Sequence, residues 1–427
     1  MCLSSHPLAS NSQLPHMSLK RIAGGVNAAK GFSSASASCG IKRTPPKNGK
    51  KRDDLCLVVS ETMATAAGVF TTNLVKAAPV LLSRRHLESG KAQAVLLNSG
   101  NANACTGEPG LRAAEECANA AAVALGIHAD EVLVCSTGRI GVQLPLPKMI
   151  PGIREAASSL KSSSAAALSA SKSIMTSDSV PKQSSYEVKI GSKSFRIGGM
   201  SKGAGMISPN MATMLCVITT DAAVPPAFLR KALRESVGKT FNCITVDGDC
   251  STNDTVVTLA NGLSGLKIRT VSEQKAFASA LQAVCADLAR AIVADGEGTS
   301  KLIELTIKGA RSESDAHLAA RAIANSQLVK SAWAGGDPNW GRILDAAGYS
   351  GAKFDPDKVE IAYDGMKAAQ NGMGCQDMKG ELKLRKIAAR KEFSVLVNLH
   401  GGKGEARLLT TDLTEEYVRL NLTEFSL

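Results

Sequence analysis

The chain has 427 residues, of which 44% are hydrophobic, so it can bury one large core or two medium ones, which excludes a disordered or fibrous protein. Its net charge of +12 is unevenly distributed: residues 1–52 contain nine Lys and Arg and no acidic residue, which leaves +3 for the remaining 375. With a nearly neutral body and only 4% aromatic residues to stack on bases, the composition argues against a nucleic-acid partner.

The histidines and cysteines form no metal-binding pattern. Eleven Cys occur singly, with no C-x-x-C pair, and none of the six His lies in an H-E-x-x-H or H-x-H pattern. We therefore predict no metal site and no disulfide framework. No uncharged apolar run approaches the length of a membrane span, which predicts a soluble protein with no membrane partner.

Residues 1–18 are acid-free and contain several Ser, but they lack the apolar segment of a secretory signal. They are interpreted as a loose N-terminal extension or a short presequence. We expect a cytoplasmic protein, with the chloroplast or the mitochondrion as the alternative if these residues form a transit peptide.

In the first half of the chain, apolar runs at residues 55–59, 94–97 and 132–135 predict buried strands. Between the last two runs, residues 111–127 are rich in Ala and predict a helix. Residues 158–173 are almost entirely Ser, Ala, Leu and Lys, and their pattern fits a surface helix or a loop.

The second half has clearer periodicity. Five apolar residues recur every three or four positions and predict one face of a helix that begins near Ser272. They are Phe277, Leu281, Val284, Leu288 and Ile292. Apolar and polar residues alternate in 303–308 and in 393–399, which predicts half-buried strands. Strands grouped around long amphipathic helices, without a regular strand-helix-strand repeat, favour an α+β fold of layers with substantial antiparallel sheet.

The segment with the clearest chemical implication is the glycine-rich run 198–212, which changes at Thr213 into an apolar stretch. A Thr hydroxyl there can attack the preceding carbonyl, convert the peptide bond into an ester and, after hydrolysis, lie beside its own free amine. Such an amine has a reference pKa of about 8 and can act as the general base without a His. The same pattern also fits a simple tight turn before a strand. A Ser–His or Cys–His pair from distant parts of the chain stays open as well.

Four segments carry a resemblance to a known family. They are K-G-A-G-M-I-S-P-N-M-A-T-M-L (202–215), D-G-D-C-S-T-N-D (247–254), A-D-G-E-G-T-S-K (294–301) and G-D-P-N-W-G-R (336–342). From about Gly24 to the C-terminus, the sequence resembles the ornithine acetyltransferase family, also called the glutamate N-acetyltransferase or arginine-biosynthesis bifunctional family. The fold that this resemblance implies is a layered α/β/β/α-type sandwich of the N-terminal-nucleophile kind.

The resemblance implies self-cleavage between Ala212 and Thr213. The products would be an α chain with the oxyanion hole in residues 19–212, after the loose extension 1–18, and a β chain of residues 213–427 that begins with the nucleophile. It also implies ping-pong transfer of an acetyl group from N-acetylornithine to Thr213 and then to glutamate.

Matched position by position, the family's motifs place the oxyanion hole at Thr137 and Gly138. The matched substrate contacts are Thr176, Lys202, Thr213, Glu297, Asn421 and Ser426. The resemblance leads us to expect that Lys202 attracts a substrate carboxylate and that Glu297 attracts an amino group. Ser426 is matched by spacing alone, because Leu427 follows it where the family pattern stops.

The reaction that the resemblance implies needs no metal and no cofactor. The resemblance also allows acetyl-CoA as an additional acetyl donor. The cleaved chains are expected to associate as an α2β2 heterotetramer. Two alternatives stay open. One is an N-terminal-Thr aminopeptidase or amidase, in which water replaces the amine acceptor, and the other is a non-catalytic basic binding protein that keeps one uncut chain.

Overall fold

In the computed structural model, which describes residues 17–42, 52–208 and 214–423, the strands and helices are grouped around two sheets. The described strands of the first sheet are β1 (Met17–Arg21), β2 (Phe32–Ala37), β3 (Leu55–Phe70), β4 (Lys91–Asn101), β5 (Val132–Arg139), β6 (Lys182–Ile190), β7 (Lys193–Lys202), β8 (Leu215–Thr220) and β9 (Thr255–Ala260). The helices of this part of the chain are α1 (Ala78–His86), α2 (Gly107–Leu125), α3 (Leu146–Ser158), α4 (Ser164–Ser173), α5 (Pro226–Lys239) and α6 (Val271–Ala294).

The first sheet folds over itself because one long strand, β3, serves both of its halves. Its N-terminal part pairs with β2 and β4, whereas its C-terminal part pairs with β9 from Thr65 to Phe70. The pairing with β4 shifts register between Val59 and Ala64, and such an irregularity bends and twists a strand. As a result, β4 and β5 continue one layer, and β9, β8, β7 and β6 continue the other.

Three apolar cores show that these two layers are stacked face to face. The inner core combines Leu97 of β4 and Cys135 of β5 with Val217 of β8 and Leu259 of β9. Helices α2 and α3 cover the outer side of the first layer, and α5 and α6 cover the outer side of the second. The order of helix, sheet, sheet and helix confirms the predicted sandwich. Most described strand pairs in this sheet are antiparallel, and the parallel ones are β4 with β5 and β8 with β9.

The apolar runs at 55–59, 94–97 and 132–135 lie in β3, β4 and β5, and the predicted helix 111–127 is α2. The ambiguous segment 158–173 contains α4, which Ser163 caps by accepting a hydrogen bond from the Ala166 N–H. Helix α6 begins at Val271, one residue before the predicted start, and the five periodic residues are all fully buried.

The second sheet forms a separate unit with its own apolar core. No pattern in the sequence predicts this division between the two sheets. Its described strands are β10 (Leu302–Ala310), β11 (Glu360–Tyr363), β12 (Met366–Gln370), β13 (Met373–Gly374), β14 (Glu392–Asn398) and β15 (Gly404–Thr411). The helices of this part are α7 (Glu313–Asn325), α8 (Gln327–Ala334), α9 (Trp340–Gly348), α10 (Met378–Ala388) and α11 (Glu415–Thr423). The predicted alternation is confirmed in β10 and in β14, where alternate apolar residues are buried and Leu396, on the opposite face of β14, is half-buried.

Helix α6 is the one helix of the described segments that is long and apolar enough to cross a membrane, judged by length and composition. Its apolar face, which includes Phe277, Leu281 and Leu288, is buried against β6, β7 and α5. This packing is that of a core helix in the outer layer of the sandwich.

Candidate active site

A cleft of about 480 Å³ opens where β5 and β7 end, and six of the predicted site residues line it together. They are Thr137, Gly138, Thr176, Lys202, Glu297 and Asn421. These residues come from distant parts of the sequence, so the fold brings together what the family motifs predict separately.

The other three predicted site residues, Ala212, Thr213 and Ser426, lie outside the described residues. On the N-terminal side of 209–213, Gly205 and Met206 line the cleft. On the C-terminal side, the Met214 N–H donates a hydrogen bond to Asp254 Oδ1 at 3.1 Å. Asp254 is fully buried, so the residue bonded to Thr213 is anchored inside the sandwich at the start of β8.

Gly138 lies near the end of β5, where the strand pairs in parallel with β4. Its φ is +132°, and a Cβ there would lie 2.3 Å from the carbonyl carbon of Gly100. Both the conformation and this contact exclude a side chain, so only glycine fits. Thr137 precedes it, and its buried side chain lines the cleft.

Lys202 ends β7 and is buried where it lines the cleft. Its ammonium donates to the hydroxyl oxygens of Thr176 at 2.6 Å and Thr137 at 3.3 Å, and it lies 3.8 Å from Asp178 Oδ2. Burial lowers the pKa of Lys202, while the negative charge of Asp178 opposes this change.

Asp178 joins two buried lysines. Its Oδ1 accepts from Lys182 Nζ at 2.7 Å and from the Gly203 N–H at 2.7 Å, and Lys182 also pairs with Asp295 at 2.6 Å. Burial alone would raise the pKa of Asp178, but the charges of Lys202 and Lys182 lower it to about 2. Asp178 is therefore ionised at neutral pH, as expected of a buried carboxylate held by opposite charges.

Glu297 and Asn421 bring the C-terminal helix to the cleft. The Asn421 side-chain amide donates to Glu297 Oε2 at 3.4 Å and to the Tyr417 carbonyl at 2.9 Å. A Cβ on Gly205 would lie 2.4 Å from the carboxyl carbon of Glu297. Gly205 therefore leaves the space that the Glu297 side chain occupies.

Three polar residues around the cleft were not singled out in the sequence: Asp178, Asn253 and Asp254. The Asn253 amide donates to the carbonyl oxygens of Ala102 at 2.6 Å and Ser136 at 2.8 Å, which fixes the segment before β9 against β5. Burial raises the pKa of Asp254 well above its usual range, and hydrogen bonds including that from the Met214 N–H oppose the rise. The available signal was their position in the sequence. Asp178 lies two residues after the matched substrate contact Thr176, and Asn253 and Asp254 end the family segment D-G-D-C-S-T-N-D.

Within residues 17–42, 52–208 and 214–423, no group of three or more His, Cys, Asp or Glu side chains is placed to hold a metal ion. The cleft presents hydroxyl groups, four basic side chains, two carboxylates and two side-chain amides. The charged residues are Lys42, Arg52, Arg139, Lys202, Asp249 and Glu297. Such a set can bind a small molecule that carries amino and carboxylate groups, and it can stabilise negative charge on a carbonyl oxygen.

The sequence model of the ArgJ family matches residues 33–424. The chain is 49% identical over 402 residues to the arginine biosynthesis bifunctional protein ArgJ of Symbiobacterium thermophilum, covering 94% of this chain and 98% of that protein. It is 43% identical over 417 residues to the glutamate N-acetyltransferase of Methanocaldococcus jannaschii, covering 94% and 99%. It is 42% identical over 422 residues to the chloroplastic ArgJ protein of Oryza sativa subsp. japonica, covering 96% and 89%. Because these matches extend over nearly the whole chain, the chain belongs to the ArgJ family.

Proposed function

We propose that the chain is a glutamate N-acetyltransferase of arginine biosynthesis, which moves an acetyl group from N-acetylornithine to glutamate through an acetyl-Thr213 intermediate. The observation that supports this most is the convergence of the six described site residues in one cleft, which Gly205 and Met206 also line a few positions before Thr213 in the sequence. The names of the relatives agree with this activity.

In this proposal, cleavage between Ala212 and Thr213 creates the catalytic group. The Thr213 hydroxyl adds to the Ala212 carbonyl carbon, the C–N bond breaks as the acyl group moves to oxygen, and water hydrolyses the ester. Ala212 is left with a carboxylate and Thr213 with a free α-amine. The α chain then ends at residue 212, and the β chain spans residues 213–427.

In the first half-reaction, Thr213 Oγ attacks the acetyl carbonyl of N-acetylornithine while its own α-amine takes the hydroxyl proton. The C–N bond of the substrate breaks, the proton passes to the leaving amine, and ornithine departs. In the second half-reaction, the glutamate amine attacks the acetyl ester, its proton passes through the same α-amine, and Thr213 Oγ regains a hydrogen.

The described residues have defined parts in this scheme. Thr137 and the Gly138 N–H stabilise the oxyanion of each tetrahedral intermediate. Glu297 attracts an amino group of the substrate, and Asn421 orients the Glu297 carboxylate. Thr176 and, from outside the described residues, Ser426 complete the substrate contacts, and Lys202 supplies a positive charge in the cleft.

The two cleaved chains would stay associated because β7 and β8, which flank the cleavage segment, pair with each other over six residue positions. We propose that two such pairs form an α2β2 heterotetramer. We also propose acetyl-CoA as a second acetyl donor, since a relative at 49% identity is named bifunctional. We propose that the protein is located in the cytoplasm. The alternative is an organelle, because the rice relative is named chloroplastic. Cell fractionation would distinguish the two.

An acetyl-transfer assay tests the central activity. Purified protein incubated with N-acetylornithine and glutamate is expected to form ornithine and N-acetylglutamate in equal amounts, and Thr213→Ala is expected to form neither. Release of free acetate without N-acetylglutamate would contradict the proposal and favour the amidase alternative.

A further inference from the structure

The Lys202 ammonium, at the wall of the cleft, contacts two hydroxyl groups. Lys202 is only 3% exposed, and its Nζ lies 2.6 Å from Thr176 Oγ1 and 3.3 Å from Thr137 Oγ1. An ammonium carries three hydrogens and no lone pair, so it can only donate. Both hydroxyl oxygens therefore accept hydrogen bonds from Lys202.

This contact limits where the Thr137 hydroxyl proton can point. Because the Thr137 oxygen accepts from Lys202, its own O–H is directed away from the ammonium. The structure gives this O–H no acceptor among the described residues, and the side chain lines the cleft beside Gly138. The hydroxyl is thus available as a donor to a group bound in the cleft.

A buried charge network holds Lys202 in this position. Asp178 lies 3.8 Å from the Lys202 ammonium and is itself fixed by Lys182 and by the N–H groups of Gly203 and Thr176. Lys182 is paired in turn with Asp295. Two lysines and two carboxylates therefore compensate each other, and the Lys202 side chain is held on the two hydroxyls.

We propose that Lys202 is a positioning residue for the oxyanion hole. Asp178 holds the Lys202 ammonium, and the ammonium turns the Thr137 hydroxyl toward the developing oxyanion. This inference rests on the proposed acetyl transfer and assigns Lys202 a different partner from the substrate carboxylate expected from the resemblance. As the carbonyl oxygen gains negative charge, it accepts a hydrogen bond from an O–H that the ammonium polarises. The stabilisation acts in the transition state, so it is expected in kcat more than in KM.

A double-mutant cycle with Lys202→Met and Thr137→Val tests the coupling, read as the rate constant for acetylation of processed enzyme in a single turnover. Thr137→Val is expected to lower this rate constant about 10²–10³-fold, as loss of an oxyanion donor does. Lys202→Met is expected to lower it roughly tenfold or more, with the KM for N-acetylornithine nearly unchanged. The double variant should stay within about threefold of Thr137→Val, because Lys202 acts through that hydroxyl.

Losses that multiply in the double variant, or a raised KM with an unchanged rate constant, would overturn the inference and return Lys202 to carboxylate binding. Lys330→Met is the matched control. It removes another buried lysine side chain, whose Nζ donates to the hydroxyls of Thr410 and Thr411 in the second unit, and it should leave the rate constant of processed enzyme unchanged.

The pH dependence of the wild-type enzyme gives a second readout that does not depend on how Lys202→Met folds. Burial and Lys182 lower the pKa of Lys202 below the ordinary 10.5, while Asp178, Glu297 and Asp254 oppose this. The acetylation rate constant should therefore fall as the pH rises through the lowered pKa of Lys202, where its ammonium loses a proton. Lys202→Arg should lose this alkaline fall because Arg keeps its charge. Lys42, which also lines the cleft, interacts with Lys202, and burial lowers its pKa to about 8, so the Arg variant is needed to assign the titration to Lys202. A rate constant that stays level in the wild type would overturn the inference. A wild type with no acetyl transfer at all would contradict the proposed function instead.

Discussion

Two glycines shape the cleft at positions where a single added carbon atom would collide with the site. Gly138 lies against the backbone of β4, and Gly205 lies against the Glu297 carboxylate. The two contacts differ in kind, because backbone cannot move aside whereas a side chain can be displaced. Substitution of Gly138 is therefore expected to disrupt the fold around the oxyanion hole, and substitution of Gly205 is expected to weaken substrate binding.

Gly205→Ala is expected to displace the Glu297 side chain, because the new Cβ would lie 2.4 Å from its carboxyl carbon. Misplacing a substrate contact by about 1 Å costs up to about 10²-fold, so kcat/KM for N-acetylornithine should fall roughly tenfold to hundredfold. The matched control is Gly238→Ala in α5, where a Cβ meets nothing within 4 Å. Unchanged kinetics in Gly205→Ala would show that Glu297 does not contact the substrate.

The partly buried carboxylate of Asp247 predicts that the stability of the fold depends on pH. It accepts hydrogen bonds from the N–H groups of Met206 and Ile207, and burial raises its pKa to about 6. A carboxyl group with a raised pKa in the folded state stabilises the fold below its ordinary pKa of 3.8, and this contribution is lost as the pH rises through about 6. The melting temperature of Asp247→Asn, relative to wild type, should therefore increase between about pH 4 and pH 7. A difference that does not change with pH would contradict this account.

At the scale of single elements, helix α6 supports the second layer of the sandwich and is closed at its N-terminus by a capping box. Thr270 accepts from the Glu273 N–H at 3.2 Å, and the Glu273 carboxylate accepts from the Thr270 N–H at 2.8 Å. Thr270→Ala should destabilise the protein by about 1 kcal/mol in denaturant unfolding, and Thr270→Ser should restore most of that loss. The exposed Lys275→Ala in the same helix is the control and should change stability by less than about 0.5 kcal/mol. Equal stability of all three variants would show that the cap contributes nothing.

Elements with strong local periodicity could be predicted from the sequence, and those that depend on distant partners could not. The sequence predicts the start of helix α6 to within one residue because five apolar side chains mark its buried face. The 16 residues of β3 were only partly predicted, since Ser60 and Glu61 interrupt the apolar run and the strand continues by changing partner to β9. The short strands β11, β12 and β13 are stabilised mainly by neighbouring strands, which no local pattern encodes.

At the scale of the whole molecule, the cleft is assembled from segments that are far apart in sequence. Thr137 and Lys202 meet because β5 and β7 belong to stacked layers, so spacing alone could not place them together. The family motifs supplied these residues. They did not supply the role of Asp178, whose partners Lys182 and Lys202 are brought to it by the pairing of β6 with β7.

The same architecture predicts that cleavage does not separate the chain. Strand β7 precedes residues 209–213 and β8 follows them, and the two are antiparallel neighbours in the centre of the second layer. The two fragments should therefore co-purify under native conditions. If the proposed α2β2 assembly forms, the native mass should correspond to two copies of each. Separation of the fragments without denaturant would contradict the proposed sharing of one sheet.

The most direct test of the account is N-terminal sequencing of the purified, active protein after denaturing electrophoresis. We predict two fragments, one of which begins Thr-Met-Leu-Cys from Thr213, and a single intact, inactive polypeptide for Thr213→Ala. An active protein that remains one uncut chain would contradict the nucleophile on which the proposed mechanism depends.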